Sequence, residues 1–358
     1  MSQITLLSGP ERRRRWSDAD KLRIVEAAFA PGACVADVAR RFEVSDLVVG
    51  LVITSIGTSL PELAASFSAA LAGSSGLVIG NVVGSNIANI GLVLGAAAIA
   101  RPFTTQPRMH DRDGFILLAS TLILFAAALD NRIGRLDAAL FLVVYLAYIV
   151  FVSRSDREGV EHRFRDFLKF FFDFEYAAPV ARRLTRRGAA TRADRAGSAA
   201  SATNERVQLG IELSIAAGSL AALVLSSRFV VREAVWAAER LELPENLIGL
   251  SLIAIGTSLP ELVVSVSAAR QGKAELVVGN IMGSNIANTL LIVGLGAVVH
   301  PLAVAEPSVV YTIPIMLFFS LALLYFVRSD WRISRGQGVL AVTSYLVFLL
   351  MAFSRDWG

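Results

Sequence analysis

Glu62 stands in an apolar stretch, four residues after Thr58 and three after Ser59. Glu261 stands in the same setting 199 residues later, after Thr257 and Ser258. Ser85 and Asn89 follow the first acid at i,i+4 spacing, and Ser284 and Asn288 follow the second. Residues four apart share a helix face, so each copy presents hydroxyls, an amide and a carboxylate together. All of these are oxygen donors, with neither sulfur nor imidazole among them. Two carboxylates and a shell of neutral oxygens suit hard cations such as Ca²⁺ or Na⁺. A glutamate among apolar residues is expensive in lipid unless it binds something, so packing alone is a poor account of either acid.

The duplication is wider than these residues. Gly50 to Gly95 recurs without a gap as Gly249 to Gly294, and 27 of the 46 positions are identical, which chance does not produce in register. IGTSLPEL and GSNIAN appear in both copies. Gly57, Pro61, Gly80 and Gly84, with their partners Gly256, Pro260, Gly279 and Gly283, are expected to interrupt regular helix and free backbone carbonyls for an ion. Ser66 and Ser68 fit close packing of membrane helices. Asn81 and Asn280 fit either interhelical hydrogen bonding or the site itself. Asp137 and Glu212 are expected at the interface or in water.

The elements that must hold these residues are membrane helices. Apolar residues make up 54% of the 358 and charged residues 18%, below the roughly 25% of a soluble domain. Mean hydropathy is +0.59, and apolar runs near span length recur. They fall at about Leu47 to Leu71, Leu77 to Ala100, Phe115 to Leu129 and Leu136 to Val152. After a polar interval come Leu209 to Phe229, Leu247 to Ala269, Leu276 to Val299, Val309 to Val327 and Gly338 to Phe353. The expectation is an all-α polytopic membrane protein with about nine spans, four in residues 46–153 and five in 207–354. The single Cys34 excludes a disulfide framework, and His110, His162 and His300 lack zinc spacing. The first residues do not read as a signal peptide.

The interval 154–206 reads as a basic cytoplasmic linker; Ser153 to Arg206 holds 12 Lys/Arg against 8 Asp/Glu. Phe164 to Tyr176 interleaves Phe with charges and suits a helix lying on the membrane surface or packed on the domain. Placing the linker inside also puts Arg101 to Arg112, Arg270/Lys273 and Arg328 to Arg335 inside. It leaves Glu233 to Glu245 and His300 to Ser308 outside, as the positive-inside rule prefers. The helix bearing Glu62 then runs outward and the one bearing Glu261 inward, which makes the duplication an inverted repeat.

GTSLPEL followed by GNVVGSNIAN, and GTSLPEL followed by GNIMGSNIAN, resemble the two alpha-repeats of the calcium/cation antiporter family, which contains the sodium/calcium exchangers. The resemblance covers about residues 46–353. It implies the inverted-repeat exchanger fold of ten helices, alternating access without a cofactor, and Ca²⁺ moved against Na⁺ across the plasma (inner) membrane. Carried over by motif, the ion ligands are Thr58, Ser59, Glu62, Ser85, Asn89, Thr257, Ser258, Glu261, Ser284 and Asn288, with backbone carbonyls near Ser55 and Ala254. Some members carry Asp where this chain has Asn288, which bears on Na⁺ stoichiometry and K⁺ dependence. Exchange of H⁺ for Ca²⁺ is the alternative within transport.

Residues 1–45 are different in character. RRRRWSDADKLRIVEAAFAPGACVADVARRFEVS, from Arg12 to Ser45, resembles the N-terminal helix-turn-helix of insertion-sequence transposases, with short helices expected at Ser17 to Phe29 and Cys34 to Phe42. The remaining text is too short for a working DNA-binding core, so nucleic acid is not an expected partner. By the 199-residue offset, a counterpart of Leu209 to Phe229 belongs near Pro10 to Ala30, where no apolar run exists. The expectation is a fusion that lost the first of the ten helices, with its N-terminus cytoplasmic and with impaired coupling or none.

Overall fold

The computed structural model describes residues 49–158, 162–177 and 243–354, together with 229–233, 236 and 240. All of them belong to one compact unit, Asp46–Gly358. The expectations for 1–45, for the span at Leu209 to Phe229 and for the linker beyond residue 177 lie outside the described residues.

The order is a broken helix, a long helix and two further helices, written twice. In the first repeat, α1 runs over 49–58 and α2 over Leu60–Leu71. Then come α3 (Ser75–Ala100), β1 (Phe103–Thr104), α4 (109–128), β2 (Arg132–Ile133) and α5 (Arg135–Glu158). A short α6, Phe164–Phe172, follows. The second repeat gives α7 (Glu245–Thr257), α8 (Leu259–Arg270), α9 (Ala274–Val299) and β3 (Leu302–Ala303). It ends with α10 (308–328), β4 (Arg332–Ile333) and α11 (Arg335–Ser354).

Among the described residues, five helices are long and apolar enough to cross a membrane: α3, α5, α9, Ser308–Trp331 and α11. The α7–α8 pair, bent by 44°, makes a sixth. The chain is therefore an all-α, multi-pass membrane protein. Burial separates centre from rim. In α3 and α9, 83% of the apolar stretch is buried, against 44% in α5 and 28% in α11. Leu122, Leu140, Phe318, Leu346 and Leu350 stay exposed on the outer helices, where lipid tails are the natural solvent.

The repeats interlock by exchange. The central α9 packs against α1, and the central α3 packs against α7, so each broken helix leans on the other repeat. The contact is close because glycines line it. A Cβ on Gly80 would collide with the Asn246 carbonyl, one on Gly84 with the Leu250 carbonyl, and one on Gly283 with the Leu51 carbonyl. This corrects the expectation that Gly80, Gly84, Gly279 and Gly283 interrupt helices. All four lie inside regular helix, Ser75–Ala88 or Ala274–Ile286. Their lack of a side chain serves helix approach, as small residues do in membranes.

The actual breaks are at Ser59 (φ −82°, ψ 7°) and Ser258 (φ −83°, ψ 5°). Pro61 and Pro260 stand at the start of α2 and α8, where a missing N–H is tolerated. Each proline deprives the carbonyl four residues back, Gly57 or Gly256, of its helical donor.

Two short antiparallel ladders close the ends. Phe103 and Thr104 pair with Ile333 and Arg332, while Arg132 and Ile133 pair with Ala303 and Leu302. The β1–β4 ladder joins two loops that the charge pattern assigns to one side. At the end carrying β1, Arg108 and Gln106 both bond Glu275 (2.7 and 2.5 Å), and Arg101 donates to the Arg270 carbonyl at 2.8 Å. These contacts gather the β1 loop, the α8–α9 turn and the loop before α11 at one end of the domain.

The third span begins earlier than the apolar run suggests, because the π-helical turn Met109–Gly114 continues directly into Phe115–Ala128. Helix α6 packs on the domain. Phe167 and Phe170 are buried beside Phe151, with ring centroids 5.4 and 5.5 Å away, while Phe172 remains exposed.

Candidate ion-binding site

The site forms where the two breaks face each other across α3 and α9. Glu62 and Glu261 lie in the first turns of α2 and α8, where helix dipoles favour a carboxylate, and both are wholly buried. Each is held by the opposite repeat. Ser258 Oγ donates to Glu62 Oε1 at 3.2 Å, and Ser59 Oγ donates to Glu261 Oε1 at 3.1 Å. Thr257 stands beside Glu62, and Thr58 and Ser284 beside Glu261. The Thr-Ser hydroxyls that the sequence places near one acid therefore serve the other, while Ser284 stays with the acid of its own copy.

Two asparagines complete the ring. Asn288 donates through Nδ2 to Ser85 Oγ at 3.0 Å, and Asn89 donates through Nδ2 to Asn285 Oδ1 at 2.9 Å. With their amide nitrogens committed, both leave Oδ1 without a donor. Glu62 Oε2 and Glu261 Oε2 are likewise without a donor. Four buried oxygen acceptors are left unpaired, each at a cost of about 1–3 kcal/mol that a bound cation would offset. Among the described residues, no three His, Cys, Asp or Glu side chains cluster as metal ligands. Two acids with neutral oxygens are a donor set suited to an ion that is bound and then released.

The backbone positions fare differently. Ser55 is wholly buried, with its hydroxyl bonded to the Leu51 carbonyl at 2.6 Å and its own carbonyl accepting Ser59 N–H at 3.0 Å. The Ala254 carbonyl accepts Ser258 N–H at 3.1 Å. The carbonyls that lose a helical donor are those of Gly57 and Gly256, two residues further on.

Asn81 and Asn280 turn out to be bridges. Thr257 Oγ1 donates to Asn81 Oδ1, and Thr58 Oγ1 to Asn280 Oδ1, each at 3.3 Å. On their other side Asn81 reaches Ser66 (2.9 Å) and Asn280 reaches Ser265 (3.2 Å). Ser66 is thus a partner in the network as well as a packing residue.

Sequence reasoning missed Asn86, Asn285 and Thr289. Asn86 donates to Thr289 Oγ1 at 2.8 Å, and Asn285 donates to the Asn86 carbonyl at 3.2 Å while accepting from Asn89. The signal was present, since GSNIAN carries this asparagine in both copies. Replacing Asn285 with alanine frees the Asn89 amide to turn. The expected result is about a tenfold rise in the Ca²⁺ concentration that half-saturates binding, the equivalent of one good hydrogen bond. Calorimetric titration of the detergent-solubilised protein checks this; an unchanged affinity would show that Asn89 needs no holder.

The sequence model described as Sodium/calcium exchanger protein matches residues 24–154 and 212–354. The sodium/calcium exchanger MaX1 of Methanosarcina acetivorans is 42% identical over 320 residues, spanning 88% of this chain and 91% of that one. The inner membrane protein YrbG of Escherichia coli is 32% identical over 320 residues, 88% of each chain. A solved structure of the sodium-calcium exchanger NCX_Mj, soaked with 2.5 mM Na⁺ and 0.1 mM Sr²⁺, superposes with a TM-score of 0.60 at 25% identity, covering 93% of both chains. With its inverted repeats, its pair of buried glutamates and these likenesses over most of its length, the chain belongs to the sodium/calcium exchanger family.

Proposed function

We propose that Glu62 and Glu261, with Asn89, Asn288 and the hydroxyls around them, bind Ca²⁺ and Na⁺ in turn as the chain exchanges one for the other. As a member of its family the chain is a secondary active Na⁺/Ca²⁺ antiporter working by alternating access, a transporter and not an enzyme. The observation that carries the site is the shared arrangement of the two acids: one oxygen fixed by the opposite repeat and one unpaired. The fixed oxygens hold the carboxylates in place when an ion leaves, and the unpaired ones supply the charge that Ca²⁺ requires. Thr58, Ser59, Ser85, Thr257, Ser258 and Ser284 add neutral oxygens. The carbonyls near Ser55 and Ala254 belong to the same proposal, together with those of Gly57 and Gly256, which lack a helical donor.

The test is Ca²⁺ uptake into proteoliposomes loaded with Na⁺ and diluted into Na⁺-free medium. Uptake should follow the outward Na⁺ gradient and vanish when Na⁺ is equal on both sides. Uptake that instead follows a pH gradient in Na⁺-free buffer would assign the coupling to H⁺.

We further infer nine spans in an inner membrane, with 154–206 and the N-terminus in the cytoplasm. The charge pattern supports this, as does the β1–β4 ladder, which joins two loops of like assignment. The loss of a first helix rests on Arg12 to Arg15 standing where the 199-residue offset asks for apolar text. The family match, however, enters this segment at residue 24. Ala39, Arg41 and Glu43 also stand at the repeat offset from Ala238, Arg240 and Glu242. The residues just before Asp46 therefore fit the exchanger repeat as well as the transposase-like text, and the junction belongs upstream of Ala39. A chimera carrying a relative's first helix in place of residues 1–38 tests it. Higher coupled flux from the chimera supports the loss, and equal flux overturns it.

A further inference from the structure

One ion pair inside the membrane domain takes no part in the site. Asp113 is wholly buried and Arg112 is 5% exposed. Arg112 grips its neighbour with two bonds, Nε to Oδ1 at 2.8 Å and Nη2 to Oδ2 at 3.1 Å. Its Nη1 donates to Ser155 Oγ at 2.9 Å, and Ser155 is itself buried in α5. Adjacent residues on a regular helix point to different sides; these two lie in the widened π-helical turn Met109–Gly114, a feature frequent at functional sites. A buried ion pair carries a desolvation cost that only good geometry and further hydrogen bonds recover.

The packing indicates what the link connects. Helix α4 packs mainly on α10, whereas α5 packs on Val293–Val299 and on the π-helical turn Ala287–Ile292, which carries Asn288. Helix α4 also touches that turn through Phe115–Ala128, so the Arg112–Ser155 bond ties together two helices that both back it. The second repeat has an equivalent packing, but its sequence supplies no such ion pair. Helix α11 packs on Asn89–Leu94, but the positions 199 residues beyond Arg112 and Asp113 are Tyr311 and Thr312.

We propose that Arg112, Asp113 and Ser155 form a strut that positions Asn288, through α5, for cation binding, with no equivalent ion pair behind Asn89. Asp113 neutralises and orients the guanidinium, Arg112 spans the gap, and Ser155 receives it. The strut fixes the depth of α5 and thereby the backing of the turn that aims Asn288 Oδ1. All three are positioning residues, and the inference rests on the reading of Asn288 and Asn89 as ligands.

The test is a pair of double-mutant cycles read as the Ca²⁺ concentration that half-saturates Na⁺-dependent uptake in proteoliposomes. Ser155→Ala is expected to raise it about fivefold, somewhat less than the loss of one full hydrogen bond, and Ser155→Thr, which keeps the hydroxyl, should restore it. In an Asn288→Ala background Ser155→Ala should add almost nothing; in an Asn89→Ala background it should act in full. Equal increments in both backgrounds would overturn the strut. An Asn288→Ala variant with unchanged half-saturation would instead remove Asn288 from the site, and the strut with it.

A second variant guards against misfolding. Arg112→Met with Asp113→Leu replaces the pair by apolar side chains, a change that buried ion pairs often tolerate although loss of one partner is damaging. The double variant should fold and show the shift of Ser155→Ala, whereas Arg112→Met alone should fail to fold or transport. A folded double variant with wild-type half-saturation would overturn the proposal.

Discussion

Glu62→Gln and Glu261→Gln each abolish Na⁺-driven Ca²⁺ uptake, with an expected loss of at least about a hundredfold. Glutamine keeps the shape of the side chain, and its carbonyl can still accept the hydroxyl of Ser258 or Ser59. What disappears is one of two charges facing a divalent ion in a site closed to water. Unit charges about 4 Å apart are worth roughly 4 kcal/mol at an effective dielectric constant near 20, and about 2.7 kcal/mol already corresponds to a hundredfold. The same argument separates lost function from lost fold. Two like charges buried near each other repel, so either variant should melt no lower than the parent in Ca²⁺-free detergent. It should also lose the rise in melting temperature that Ca²⁺ gives the parent. Uptake within about threefold of wild type would remove these glutamates from the site.

The two glutamates stood out in the sequence because the physics of lipid is unforgiving. An acid in an apolar run needs a partner, and a second copy in register supplies one. The i,i+4 spacing of Thr58 with Glu62 correctly placed hydroxyls near a carboxylate but attached them to the wrong one. Periodicity reports which residues share a face within one helix. It carries no information on which helix comes opposite, and here the helix breaks between the two residues, at Ser59. The exchange of partners between repeats is a consequence of α1 crossing α9 and α7 crossing α3, a tertiary fact with no local signature.

The third span shows a different limit. MHDRDG reads as loop because Asp111, Arg112 and Asp113 look too polar for a membrane helix. Pairing changes the balance: Asp113 and Arg112 satisfy each other and Ser155 supplies a further acceptor, so the turn enters the domain. Hydropathy treats charges singly and misses such a pair. Which loops share an end was, in contrast, readable for one pair from arginine and lysine placement. The loops near Arg101 and Arg328 were assigned together and are joined by β1 and β4.

The glycines were noticed for the right reason and given the wrong role, and this leads to the second large effect. Gly84→Ala and Gly283→Ala should each prevent stable assembly of the domain. On Gly84 the added methyl carbon would run into the Leu250 carbonyl and lie 2.7 Å from Leu250 Cα and 2.8 Å from Ala254 Cβ. On Gly283 it would meet the Leu51 carbonyl, with Ser55 Oγ at 2.7 Å and Leu51 Cα at 2.8 Å. Overpacking a core costs about 1–3 kcal/mol when side chains can yield, and more when they cannot. Most of these contacts are backbone atoms inside helices, which cannot turn aside, so the helices themselves must separate. Separation at Gly84 would also stretch the Thr257–Asn81 bond between α7 and α3, and at Gly283 the Thr58–Asn280 bond between α1 and α9. Gly336→Ala is the control, because its methyl would meet only Ser334 Oγ at 3.9 Å, near the start of α11. In fluorescence-detected gel filtration with a thermal ramp, the control should match the parent. The two core variants should lose most of the monodisperse peak or melt at least about 10 °C lower, the scale of several kcal/mol in a chain of this size. Parental melting of Gly84→Ala would mean that α3 and α7 cross with more room than their glycines indicate.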